Sequence, residues 1–195
     1  MTNNSTPVLT GRVVTLAPLA AEHAEVTFAW RQGDRAKYLN RGAQTIDEQR
    51  KWIIASGGRG DLNFIILFRD APVGMIALHD TSKVHRHVII GRFLIGEPQL
   101  VGTAPVAYDA ELALCDYAFD TLQMHKIHGD IIEGHETMLR WRQYLGWARE
   151  GVKRDHYLID GAFVNVVMMS LLEDDYRRKG RPRLRGLVTA GQRGM

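Results

Sequence analysis

Gln99-Leu100-Val101-Gly102-Thr103-Ala104, followed at once by Pro105, is the stretch on which the fold turns. It lies between an apolar, β-like run, His87–Ile95 (HVIIGRFLI), and a long helical pattern that begins near Val106. A strand, a turn of small residues and a helix start make the layout of an anion site. The first amides of a helix lack internal partners, and the helix dipole stands behind them. The same letters also describe an ordinary strand-to-helix turn, in which Gly102 supplies a positive φ and Pro105 opens the helix. The surrounding sequence decides between a phosphate cradle and a plain turn.

Upstream, Arg12–Pro18 reads as a first strand and Ala20–Gln32 as a helix broken by Gly33-Asp34. A second helix begins at Thr45, where Thr45 and Glu48 form an S/T-x-x-E capping box, and ends at Gly57–Gly60. Asn63–Phe68, Val73–His79 and His87–Ile95 follow as strands with short loops between them, which predicts an antiparallel meander. Gly91 inside the last of these marks a bulge or a close backbone approach. Downstream, Val106–Gln123 carries apolar residues at helical spacing, Lys126–Ile132 reads as a strand, and Glu136–Leu145 as a helix ending at Gly146. Tyr157–Ile159 and Phe163–Leu171 pair around the turn signal Asp160-Gly161. The expected fold class is α/β (α+β): a mixed, mostly antiparallel sheet of about seven strands flanked by about four helices, with a parallel pair around the central helix.

The 195 residues fit one domain, and 45% hydrophobic with 24% charged residues suits a globular protein with a real core. The lone Cys115 excludes an internal disulfide, fits a reducing compartment, and reads as a buried, inert thiol inside a helix. Met1–Pro7 is short and polar, so no signal peptide is expected, and no run reaches the length of a membrane span. A cytoplasmic location is the expectation. The net charge of +3 is unevenly placed: residues 177–195 carry seven Arg or Lys and no acid, leaving the rest of the chain net acidic. The expected organisation is a domain over residues 8–176 and a basic, flexible C-terminal tail over 177–195. No aromatic residues interleave with the tail's charges, which argues against nucleic-acid binding.

The element order, with a Q-x-x-G-x-A loop after the fourth strand, resembles the GCN5-related N-acetyltransferases (GNAT) over roughly residues 8–176. The branch it resembles contains ribosomal-protein N-terminal, spermidine and some amino-sugar acetyltransferases. The resemblance rests on the opening Leu9-Thr10-Gly11-Arg12-Val13-Val14-Thr15-Leu16-Ala17-Pro18-Leu19, on Trp30-Arg31, and on Thr45-x-Asp47-Glu48-Gln49 with Trp52. It continues through Tyr117-Ala118-Phe119 leading to His125-Lys126-Ile127, then Leu145-Gly146-Trp147, Glu150-Gly151 and Arg154, and closes on Met169-Ser170-Leu171-Leu172-Glu173.

The resemblance implies acetyl-CoA as co-substrate and acyl transfer to an amine by direct attack. The loop Gln99, Leu100, Val101, Gly102, Thr103 and Ala104 would hold the pyrophosphate, and Phe93, Leu94 and Ile95 would hydrogen-bond the pantetheine arm like an added strand. A homodimer is a family-level expectation. On the catalytic side the sequence departs from the family. The family's Asn and Tyr positions are His135 and Arg142 here, and the branch's Ser position is Met138. Arg142 then pairs with a cofactor phosphate or the leaving sulfur, or is an exposed helical arginine. Glu97, beside the loop, is the first candidate base; His79 and Asp80 are the second. The His79, His85, His87 spacing is not read as a metal site. Trp30, Arg31 and Tyr38, in the segment Trp30–Asn40, are expected in the acceptor wall, while Trp52 reads as packing. An arginine there favours an acceptor bearing a negative group, such as a nucleotide-linked amino sugar; a protein N-terminus and a polyamine are the other acceptors. A non-catalytic acyl-CoA-binding module, and a nucleic-acid binder acting through residues 177–195, are the rival classes.

Overall fold

A computed structural model describes residues 6–39, 42–159 and 161–194. Its sheet has strands β1 (Leu9–Thr10), β2 (Val14–Pro18), β3 (Leu62–Phe68), β4 (Ala71–Ser82), β5 (His87–Ile95), β6 (Lys126–Ile132), β7 (Ala148–Ile159) and β8 (Ala162–Leu172). They lie in the order β1-β2-β3-β4-β5-β6-β8-β7. The eight strands exceed the expected seven by β1, two residues too short to show a pattern. Strand β7 begins at Ala148 rather than Tyr157, because an exposed edge strand shows no apolar alternation to read. The expected turn residue Asp160, like Asn40 of the expected acceptor wall, lies outside the described residues.

Helices α1 (Ala24–Gln32) and α2 (Ile46–Gly58) cover one face of the sheet. The cap of α2 forms as its sequence predicts: the Glu48 N–H donates to Thr45 Oγ1 at 3.1 Å. The Glu48 carboxylate returns to the N–H of Gln44, one residue before the cap, at 2.7 Å. Helices α3 (Pro98–Val101), α4 (Val106–Asp116) and α5 (Glu136–Tyr144) follow, and a π-helical segment, Tyr117–Thr121, extends α4. The larger core joins α4 to the second face: Val106, Ala110, Leu114 and Ala118 meet Phe64, Ile66, Ile76, Val88 and Ile127. A smaller cluster, Trp30, Ile65, Met75 and Leu94, lies under α1.

Residues 177–195, expected as a flexible tail, are instead largely helical. Helix α6 (Glu173–Asp175), a π-helical segment (Tyr176–Gly180) and α7 (Arg181–Gln192) run on from β8. Leu184 and Val188 are buried in the larger core, four residues apart on one helix face. Several of the arginines that suggested a solvated tail are ion-paired: Arg177 and Arg181 reach Asp120, and Arg181 also reaches Asp116 at 2.8 Å. The apolar stripe is only two residues wide and was hidden among charges.

One junction breaks the antiparallel rule. β5 and β6 run parallel and pair only through His87–Lys126, Val88–Ile127 and Ile89–His128. Beyond Ile89 the strands diverge, each keeping its other neighbour. The sheet therefore opens into a V whose arms are residues 90–95 and 129–132. Backbone groups of β5 that face the V have no ladder partner beyond Ile89.

Candidate active site

The loop after β5 closes the first side of the V. Gln99, Leu100 and Val101 fall in α3, and Gly102 has φ +55° and ψ −125°, a conformation reserved for glycine. A Cβ at Gly102 would meet nothing within 4 Å, so the glycine serves the backbone turn and faces open space. Pro105 caps α4 and its carbonyl accepts from the Asp109 N–H at 2.9 Å. Among the described residues, the amides of Thr103, Ala107 and Tyr108 have no hydrogen-bond acceptor. Those N–H groups and the dipole of α4 are the chemistry an oxyanion of a diphosphate needs. Helix α7 braces this corner, with Gly191 packed directly on the Pro105 ring.

Two adjoining cavities pass through the V. The smaller, about 130 Å³, is lined by Phe93, His135, Met138, Arg142 and Trp147. The larger, about 490 Å³, opens on the α1–α2 side and is lined by Arg31, Tyr38, Trp52, His79, Asp80, Arg92, Asp130 and Tyr157 among others. Tyr38 and Leu39 line both. Tyr38 stacks on His135 at 4.1 Å, and its hydroxyl donates to the Gly134 carbonyl at 3.3 Å. From the same segment, Arg35 Nε donates to the Ile95 carbonyl at 2.9 Å. The chain between α1 and α2 thus straps one arm of the V to the other. Burial and Lys37 together lower the pKa of His135, which is therefore neutral near pH 7.

Several expected site residues take other places. The Trp30 indole N–H donates to Glu97 Oε1 at 2.7 Å, and its ring lies so close to Gly96 that a Cβ there would clash. Trp30 is buried in the smaller core, and neither it nor Glu97 lines a cavity. Arg142 is not an exposed helical arginine. It is 5% exposed, ion-paired with the wholly buried Glu111 of α4, and its guanidinium lies 4.3 Å from the Trp147 ring centre. Trp141 Nε1 donates to the other Glu111 oxygen at 2.9 Å. Arg142 still lines the smaller cavity, but its charge is already answered by a carboxylate.

Trp52, read from sequence as packing, does pack against the smaller core, and it lines the larger cavity as well. Arg92 and Glu111 were not singled out at all. The signal for Arg92 was a lone charge inside the apolar run HVIIGRFLI. Arg92 and Phe93 both stand against Ile76, since Ala77 pairs with Gly91 and Met75 with Leu94. Arg92 has φ +56°, so this bulge pulls one N–H of β5 out of the β4 ladder.

His79 and Asp80 sit together at the cavity wall. Asp80 has φ +51°, which turns its carboxylate back so that Oδ2 lies 2.9 Å from His79 Nδ1. That bond assigns the ring proton to Nδ1 and leaves Nε2 as an acceptor. Nε2 lies against Gly91, 2.8 Å from where a Cβ would stand, so Gly91 is required for close approach of the imidazole. Burial, then the Arg92 charge, lower the His79 pKa, while Asp80 opposes them. His79 is therefore uncharged at neutral pH. Among the described residues no three His, Cys, Asp or Glu side chains are grouped to hold a metal, and no helix is long and apolar enough to cross a membrane.

A sheet opened into a V, with an unpaired strand edge on one arm and a glycine-turned helix start beside it, defines an acyltransferase fold. The chain belongs to the acetyltransferase (GNAT) domain family, whose model matches residues 14–147. It is 27% identical over 168 residues to "Putative ribosomal N-acetyltransferase YdaF" of Bacillus subtilis (strain 168), covering 83% of this chain and 90% of that one. In fold it is similar to a GCN5-related N-acetyltransferase from Brucella melitensis: TM-score 0.74 at 23% identity, over 96% of this chain and 85% of that one. It is also similar to the spermidine N-acetyltransferase of Vibrio cholerae, solved with CoA and spermine: TM-score 0.72 at 19% identity, over 84% of this chain and 98% of that one. The protein is an acetyl-CoA-dependent N-acetyltransferase.

Proposed function

We propose that acetyl-CoA enters through the smaller cavity and a primary amine through the larger, the two meeting at the β5 bulge. The open edge of β5 at Phe93, Leu94 and Ile95 suits the pantetheine amides. The α4 start, with Gly102, Thr103 and Ala104, suits the diphosphate. The observation that carries this reading is the pair of cavities joined through a V whose β5 arm has no strand partner on the edge facing the V.

His79 is the base in this reading, held by Asp80, in place of Glu97, which is bonded to Trp30. The neutral amine attacks the thioester carbonyl; a C–N bond forms as the C–S bond breaks. Nε2 of His79 takes the ammonium proton, directly or through one water. The N–H freed by the bulge faces the developing oxyanion. The thiolate departs without a tyrosine, because Arg142 occupies that position.

The acceptor is a small amine, of which a nucleotide-linked amino sugar is one form. The 490 Å³ of the larger cavity supports this size. A protein N-terminus is the second reading, supported by the likeness to the Bacillus protein. Thiol release from acetyl-CoA, assayed with small amines and with N-terminal peptides, tests the reading. Saturable release that depends on a small amine is expected. Tight coenzyme A binding with no release on any amine would leave a non-catalytic acyl-CoA module.

A further inference from the structure

The larger cavity is electrically two-sided. On the helix side, Arg31 from the end of α1 and Arg92 from the β5 bulge both lie over the Trp52 indole of α2, 6.0 and 5.0 Å from its centre. Arg92 is aimed by two bonds, to Asn63 Oδ1 at 2.6 Å and to Asp61 Oδ2 at 3.0 Å. Arg59 also reaches Asp61, at 3.5 Å, so one carboxylate answers two guanidinium groups there. On the sheet side stand His79, Asp80 and Asp130.

The cations are held at a cost. Arg31 is 9% exposed, and burial together with the Arg92 charge brings its pKa down to about 10. It remains charged at neutral pH. Arg31 is buried and Arg92 part-buried, and Asp61 answers Arg92 from one edge; an anion entering beside the two guanidinium groups on their cavity side would offset their mutual repulsion. Guanidinium groups on an aromatic face match carboxylate and phosphate through their N–H edges. A second cation would meet the opposite.

We propose that Arg31, Trp52 and Arg92 form an anion subsite, and that the acceptor is a small amine that also carries a carboxylate or a phosphate. The anion rests on the shelf and the amine reaches across the cavity to His79. This deepens the reading of a small-amine acceptor and rests on it. It also sets this cavity against polyamines, whose second charge would face the arginines.

Initial rates of thiol release, measured on the full chain with matched amines, test the proposal. The pairs are butylamine with γ-aminobutyrate, and glucosamine with its 6-phosphate; putrescine supplies the dication. The member with the anion is expected to exceed its neutral partner in kcat/KM by about 10-fold or more, the gain of a charge-assisted contact. The larger of the two gains tells carboxylate from phosphate. Arg31→Gln should shrink that ratio by about 10-fold, mostly in KM. The wild-type ratio alone suffices if the variant does not fold. Ratios near one, or a preference for putrescine, would overturn the subsite and leave the transferase reading standing. No turnover with any of the five amines would overturn the small-amine reading together with the subsite.

Discussion

Gly102→Ala isolates what the loop contributes to cofactor binding. At φ +55° and ψ −125° an L-residue is strained, at a cost of about 1–3 kcal/mol. The added Cβ meets no atom within 4 Å, so there is no clash to confound the backbone effect. That cost has two places to appear. If the free loop relaxes to another conformation, stability without ligand is kept and coenzyme A affinity falls by about 5- to 150-fold, the equivalent of 1–3 kcal/mol. If the loop is held, stability falls and affinity is unchanged. Either way the complex, referred to the unfolded chain and free coenzyme A, loses the whole amount. Urea unfolding without ligand, combined with calorimetric titration of coenzyme A, measures both parts. The expected result is a sum of about 1–3 kcal/mol, borne mainly by affinity because α3 is a single short turn. A sum near zero would mean that the bound loop does not need the glycine conformation, and the phosphate-cradle reasoning would fail.

Two further perturbations probe the rest of the site. The pH profile of kcat/KM, expressed per free amine, should stay level near neutrality and fall on the acid side below 6.5, because burial and Arg92 lower the His79 pKa from that value. Asp80→Ala removes the larger of the influences that raise that pKa, leaving only the charge of Asp61, so the fall should move to still lower pH; His79→Ala should abolish it and cut the rate by about 100-fold or more. A limb that survives His79→Ala would assign the base elsewhere. Glu111→Leu strands the buried Arg142 charge, at a cost of about 3–5 kcal/mol, which lowers Tm by about 6–20 °C for a chain of this size. Adding Arg142→Met should recover most of that loss in thermal unfolding, and a double variant no more stable than the single would refute the pairing.

What the sequence made legible, and what it hid, divides along physical lines. Strands with both faces covered announce themselves: His87–Ile95 and Lys126–Ile132 were readable to the residue because apolar composition and local turn signals coincide. The strap at Tyr38 and the shelf at Trp52 were not, since each depends on contact between segments far apart in the chain. The same limit explains the two exchanged roles. Trp30 and Trp52 are both tryptophans on amphipathic helices. Only their rotation about the helix axes, set by Gly96 for one and by Arg31 and Arg92 for the other, buries Trp30 in the core and leaves Trp52, packed on the same core, with a face to the cavity. Glu97 was adjacent to the loop in sequence, but adjacency fixed only the backbone; the indole of Trp30 claims its carboxylate.

The arginines at 177–185 failed for a related reason. Charge counted along the chain reads as a solvated tail, whereas Asp116 and Asp120, some 60 residues earlier, pair with Arg177 and Arg181 on the side where Leu184 and Val188 dock. That docking bears on the phosphate corner. Gly191 meets Pro105 at the start of α4, so the helix that sequence left loose is part of what holds the amides proposed to bind the diphosphate. The proposed cofactor side is thus braced twice over, by the glycine turn from one direction and by α7 from the other. The proposed catalytic side depends on the single pair His79 and Asp80 of β4, one admitted by Gly91 on the neighbouring β5, the other turned by its own positive φ so that its carboxylate returns to the imidazole.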